Sequence, residues 1–286
     1  MLYETATDWN DAAQKRVMLF GMSGLGKTHL SNILRAQGDW FHYSVDYRIG
    51  TRYMGEHIVD NFKREAMRNP FLADLLRSDS LFIGSNITFN NLSPLSTYMG
   101  KPGNPALGGI GFTEYQRRQG LHREAEIAAL LDTPLFITRA HELYGYDHFV
   151  CDSGGSICEV IDPANPNDPI LSRLASNLLL VWIRGDDAHI GELTKRFETA
   201  PKPMYFDPAA LPGLWRDYCR ENNVNEADVD PDAFMRFAYR RCLDHRLPLY
   251  RSMAENWGVS IAATEVARIG TAAEFDALIA AALAGS

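Results

Sequence analysis

Eight residues constrain this chain more than any others: Gly21-Met22-Ser23-Gly24-Leu25-Gly26-Lys27-Thr28. They match G-x-x-x-x-G-K-[ST] in full. Chance alone would place the bare pattern in roughly 1% of chains of this length. Context narrows it further. The apolar run Arg16-Val17-Met18-Leu19-Phe20 precedes the loop, and Leu30, Ile33 and Leu34 recur at helical spacing after it. Strand, glycine turn and helix therefore come in the order that lets backbone N–H groups curl round phosphate oxygens at a helix N-terminus. The Lys27 ammonium reaches the outer phosphates in such a loop, and the Thr28 hydroxyl is placed to ligate Mg²⁺.

Four more apolar runs read as strands: Phe41 to Val45, Phe149 to Cys151, Leu178 to Ile183, and more weakly Trp257 to Ile261. Their apolarity is continuous rather than alternating, as in strands buried on both faces of a parallel sheet. Helical stripes separate them. Met54, Ile58, Phe62 and Ala66 recur every four residues until Pro70 blocks continuation; Thr113 to Leu131, the Ile190-Leu193-Phe197 stripe and Ala273 to Leu283 give three more. The alternation predicts an α/β fold with a parallel sheet in three layers.

About a hundred residues part the second and third strands, too many for a plain crossover. The organisation expected is one domain with its core at about 14–52, 145–205 and 250–286, a large helical and loop insertion at about 53–144, and a helical segment at about 206–249. Ser93 to Gly111, rich in Gly, Pro, Asn and Ser, reads as a loop or lid. Of the 286 residues 46% are hydrophobic and 22% charged, ordinary globular values that exclude a disordered or fibrous chain. The net charge of −8 disfavours a nucleic-acid partner. Four cysteines without metal or disulfide spacing, no signal-peptide pattern and no membrane-length apolar run point to a reducing, cytoplasmic setting with no membrane partner.

The loop is a Walker A sequence, and its position near the N-terminus resembles the P-loop kinases, the group holding shikimate, gluconate and adenylate kinases. The chain as a whole looks like a widespread set of bacterial proteins known only as ATPases. The kinase resemblance implies a P-loop after the first strand of a parallel sheet and phosphoryl transfer from ATP with Mg²⁺. It also implies an acceptor site after the second strand and a basic lid. Gly21, Ser23, Gly24, Gly26, Lys27, Thr28 and His29 would then contact nucleotide.

Asp152 ends the third strand before Ser153-Gly154-Gly155-Ser156, where an acid faces a metal held at the loop; the plainer reading is an Asp that starts a turn. Gly154 and Gly155 let backbone approach a ligand. Asp46, 19 residues after Lys27, and Arg48 sit where the resembled kinases orient an acceptor hydroxyl and clamp its anionic group, although shikimate kinases carry an Asp-x-Asp pair there. A helix N-cap followed by solvated arginines is the competing reading. Arg196, after the fourth strand, stands where those kinases bring a lid arginine over the phosphates; a solvated helix face is its alternative. Arg117 and Arg118 offer an anionic acceptor two cations, with Glu114, Glu124 and Glu126 beside them to form salt bridges instead.

The expectation is an enzyme, a kinase moving the γ-phosphoryl group of Mg-ATP to a small-molecule hydroxyl. The alternatives are an ATPase switch acting on a protein partner and a kinase of a macromolecule.

Overall fold

A computed structural model describes residues 2–285. In chain order the elements begin α1 (Ala6–Asp11), β1 (Arg16–Phe20), α2 (Lys27–Ala36), β2 (Trp40–Ser44), α3 (Val45–Arg48) and a π-helical turn (Ile49–Tyr53). Then come α4 (Gly55–Ala66), α5 (Pro70–Arg77), α6 (Ser93–Met99), α7 (Phe112–Leu131) and α8 (Thr133–Glu142). β3 (His148–Asp152), α9 (Ile157–Val160), α10 (Pro169–Ala175), β4 (Leu179–Arg184) and α11 (Asp187–Thr199) follow. The last are α12 (Leu211–Asn222), α13 (Pro231–Trp257), β5 (Gly258–Ala262), α14 (Ala263–Val266) and α15 (Ala272–Ala284). All five expected strands are present, within a residue of their expected starts.

The chain forms two compact units. The first comprises Met1–Val45, Glu126–Pro201 and Arg236–Ser286; the second comprises Asp46–Ala125 and Lys202–Met235. The division between Ala125 and Glu126 falls inside α7, where no loop marks it along the chain.

The first unit is an α/β layer structure on one all-parallel sheet of order β2-β3-β1-β4-β5. Val17 to Phe20 of β1 and Leu179 to Ile183 of β4 are buried, which is why these runs are apolar without alternation. α2 packs on β2 and β3, α10 on β4, and α15 on β5 and α1. An aromatic cluster joins α1, β2 and α15. Trp9 meets Tyr3 and Phe275 edge-on at 5.1 and 6.3 Å, and Phe275 meets Trp40 at 5.8 Å.

The second unit is helical. Pro70 does stop α4, and it then opens α5, with Asn69 capping the amides of Phe71 and Leu72 at 3.0 and 3.3 Å. Expecting a loop or lid over Ser93 to Gly111 needs correcting. Its first seven residues are α6, started by Pro94 and held by buried Leu95, Tyr98 and Met99. The remainder is pinned by backbone bonds from Gly103 to Ile110, Ile110 to Lys101 and Asn104 to Val229, at 2.9, 2.9 and 2.8 Å. A Gly- and Pro-rich composition here serves close backbone approach: a methyl on Gly103 would lie 2.6 Å from the Val229 carbonyl oxygen.

Close approach also fixes the sheet edge. A β-carbon on Gly258 would lie 2.1 Å from the carbonyl oxygen of Leu180, its register partner. Gly258→Ala should therefore cost at least about 2 kcal/mol in urea denaturation and raise amide exchange across Gly258–Ala262. An unchanged denaturation midpoint would show that β5 is free to shift.

Candidate phosphate-binding site

β1 lies at the centre of the sheet. Its connection runs to β2 on one flank, whereas β3 connects back across it to β4, so the direction of winding reverses at β1. Open α/β sheets bind ligands at the carboxyl end of such a reversal. The glycine loop stands there.

Gly21, Gly24 and Gly26 all have left-handed backbone, with φ of 128°, 90° and 96°. Gly21 is also crowded: a β-carbon there would sit 2.7 Å from the Ile183 carbonyl oxygen of β4. No other residue type meets both conditions. Lys27 begins the ten-residue α2, and its N-cap residue, Gly26, brings no side chain to cap the first N–H groups. The Lys27 side chain is buried, and Nζ donates to the carbonyl oxygens of Gly21 and Met22 at 2.7 and 2.8 Å. Ser23, Gly24, Thr28 and His29 are exposed along the rim. The loop thus places an ammonium, a helix N-terminus and a run of amides together, a chemistry suited to phosphate.

Asp152 reaches the same edge from β3. Register pairs it with Leu19 of β1 and Ser44 of β2. Thr28 Oγ1 donates to Asp152 Oδ2 at 3.0 Å, and His42 Nε2 lies 3.3 Å from the same oxygen. Burial pushes the Asp152 carboxyl up, but bonds from His42, Ser44 and Thr28 outweigh it and hold the group below its ordinary value. The carboxylate therefore stays ionised. Ser153 follows, its N–H and hydroxyl both donating to the Leu19 carbonyl oxygen at 3.1 and 3.2 Å, which locks the start of the Gly154-Gly155 loop against β1.

His42 is a site residue the sequence reading missed. The available signal was a lone imidazole inside an apolar strand, two residues before Ser44 on the same face. The π-helical turn Ile49–Tyr53 was also missed; nothing in its composition distinguishes it from an α-helical turn.

The other candidates lie as follows. Asp46 and Arg48 belong to the second unit, within α3 and half-buried, with the Arg48 guanidinium 5.5 Å from the centre of the Tyr53 ring. Asp46 is inside the helix rather than at its N-cap. Arg117 binds Glu114 through Nε and Nη2 at 2.7 and 2.9 Å. Arg118 is buried, donates to Glu114 at 2.8 Å and to the Tyr98 carbonyl oxygen, and covers the Tyr98 ring at 4.6 Å. These contacts, Arg117 foremost, hold Glu114 down to about 2. Arg196 is exposed on α11 and paired with Glu192 one turn away.

Among the described residues no group of three or more His, Cys, Asp or Glu side chains could hold a metal ion. Thr28 and Asp152 supply two oxygens, which fits an Mg²⁺ that takes its remaining ligands from water and substrate phosphates. No helix among the described residues is long and apolar enough to cross a membrane. A cavity of about 560 Å³ lined by Trp257, Gly258 and Ser172 lies at the start of β5, the sheet edge opposite the glycine loop. No protein-family model matches the chain, and no curated protein is similar to it.

Because the folded Asp152 titrates below its unfolded value, its contribution to stability is present above the ordinary carboxylate range and is lost as pH falls through the folded value. The stability difference between wild type and Asp152→Asn should be full at pH 7 and shrink below about pH 4. Urea denaturation at a series of pH values measures it. A gap that stays constant down to pH 3 would contradict the assignment.

Proposed function

We propose that the chain is a P-loop phosphotransferase that holds the phosphates of ATP in Gly21–Thr28 and passes the terminal phosphoryl group to a hydroxyl acceptor. The observation that carries this reading is the bond from Thr28 Oγ1 to Asp152 Oδ2 at 3.0 Å, formed beside a buried lysine at the reversal of the sheet. Two oxygen ligands, one from the first turn of α2 and one from the end of β3, adjacent to a loop of amides, are what a Mg-nucleotide requires of a protein.

Phosphoryl transfer asks for positioning and charge rather than covalent help. Lys27 supplies a positive charge that leaves its two carbonyl partners for phosphate oxygens. The loop amides and the first turn of α2 orient the phosphate chain. Bound Mg²⁺ would neutralise phosphate charge, held through Thr28 and Asp152. His42 and Ser44 keep Asp152 ionised and aimed. Asp46 is the residue assigned to the acceptor hydroxyl, as orienting group or proton acceptor, with Arg48 beside it for an anionic substituent.

Turnover of labelled ATP with Mg²⁺, in the presence of metabolite pools, tests the reading. Lys27→Ala and Asp152→Asn should each lower turnover by about a hundredfold or more. Asp46→Asn should reduce acceptor-dependent turnover while leaving nucleotide affinity unchanged. Label entering a new small molecule identifies a kinase. Label found only in free phosphate replaces the kinase with an ATPase switch, and wild-type turnover equal to that of Lys27→Ala removes both.

A further inference from the structure

α13 presents Cys242, Arg246 and Tyr250 at intervals of four residues, all buried. Arg246 Nη2 donates to Glu159 Oε2 at 2.7 Å, with side-chain exposures of 9% and 3%. The Tyr250 hydroxyl donates to the Gly155 carbonyl oxygen. These two bonds fasten one face of the helix to both ends of the Gly155–Glu159 segment that follows Asp152. A buried arginine–glutamate pair is a poor way to gain stability, since desolving both charges offsets most of their attraction. A guanidinium held so firmly beside a glycine loop calls for a chemical reason.

Gly155 supplies it. Its backbone lies outside the left-handed region, so its conformation does not demand glycine. A β-carbon built on it would make only ordinary contacts, 3.5 Å from the Ser23 nitrogen, 3.6 Å from Arg246 Nη1 and 3.6 Å from the Tyr250 oxygen. Neither backbone geometry nor crowding therefore requires the missing side chain. What it leaves is a small space bounded by a loop amide, a guanidinium and a phenol. Ser23 belongs to the limb of the loop away from the α2 N-terminus. The loop lysine is the group that reaches the outer phosphates, and Lys27 Nζ lies on the Gly21 and Met22 carbonyl oxygens beside Ser23, so the terminal phosphate comes to this limb.

We propose that Arg246 is a phosphate-binding residue that, with the Ser23 amide, receives one oxygen of the terminal phosphate of a nucleoside triphosphate in the methyl-sized space Gly155 keeps clear. The inference rests on the nucleotide reading above. Glu159 is then a positioning residue that holds the guanidinium in place, and Arg246, rather than the exposed Arg196, supplies the extra positive charge at the loop.

The distinguishing property is selectivity for the third phosphate. Calorimetric titration with Mg-ADP and with a Mg-ATP analogue bearing a non-hydrolysable β–γ bridge reads it directly. Gly155→Ala keeps the Arg246–Glu159 pair and should leave the thermal midpoint unchanged. It should lose at least about tenfold in affinity for the triphosphate and less than about twofold for the diphosphate. Arg246→Gln should show the same split, and Arg246→Lys, which retains charge, should lose less. If Arg246→Gln fails to fold, Gly155→Ala and Arg246→Lys decide the matter. Equal losses for both nucleotides, or no loss, overturn the role of Arg246 while Lys27→Ala still abolishes binding of both. Wild-type protein that binds neither nucleotide overturns the nucleotide reading itself.

Discussion

A carboxylate removed from water has to be answered by its neighbours, and Asp152 is answered from two separate elements while a third anchors the residue after it. α2 brings the Thr28 hydroxyl, β2 brings His42 and Ser44, and the backbone of β1 takes the donors of Ser153 immediately after it. The sheet order is what permits this. With β3 lying between β2 and β1, the end of β3 is the one place from which a single side chain meets both the glycine loop and the second strand. Loss of any partner would leave a buried charge short of compensation, so the loop, the strand and the carboxylate are held in one arrangement.

The same demand continues along the segment after Asp152. The Ser156 hydroxyl donates to both oxygens of the buried Glu126, at 2.9 and 2.7 Å, and Glu159 accepts from Arg246. Between them Cys158 lies against the same cluster, and Cys242 approaches Glu159 at 3.9 Å from α13. Burial raises both thiols, Cys242 to about 12, so they remain protonated and serve as packing rather than as nucleophiles. Eight consecutive residues thus carry three buried carboxylate contacts. A segment fastened this densely presents Gly154 and Gly155 as a fixed wall rather than a mobile loop, which suits a site that must be formed before its ligand arrives.

What the sequence made legible was whatever depends on neighbours along the chain. The five strands follow from continuous apolar runs, the glycine loop from its spacing, and Asp152 from its place at the end of a strand. Ser93 to Gly111 misled because Gly and Pro signal both a loose loop and a close-packed one, and only the Val229 carbonyl, more than a hundred residues away, decides between them. His42 was obscure for a related reason: its significance lies in Asp152, which pairing across the sheet brings to it. The Trp9–Phe275–Trp40 cluster is long-range in the same sense.

The arginines make the point about charge. Arg117, Arg118 and Arg196 were each noticed as cations near a motif, and each has an acid one helical turn away that claims it: Glu114 for the first two, Glu192 for the third. The pairs of Arg117 and Arg196, on half-exposed or exposed faces, contribute little to stability and leave little directed charge for a ligand, and the buried Arg118 is turned onto Glu114 and the Tyr98 carbonyl oxygen within the second unit. Arg246 also has an acid partner, but its pair is buried, so its field is poorly screened and its orientation is fixed. A cation's usefulness at a phosphate site depends on that difference in surroundings more than on its position in the sequence. On the proposed reading, Lys27 from within the glycine loop and Arg246 from α13 answer the phosphates from two sides, both buried and both held by named acceptors.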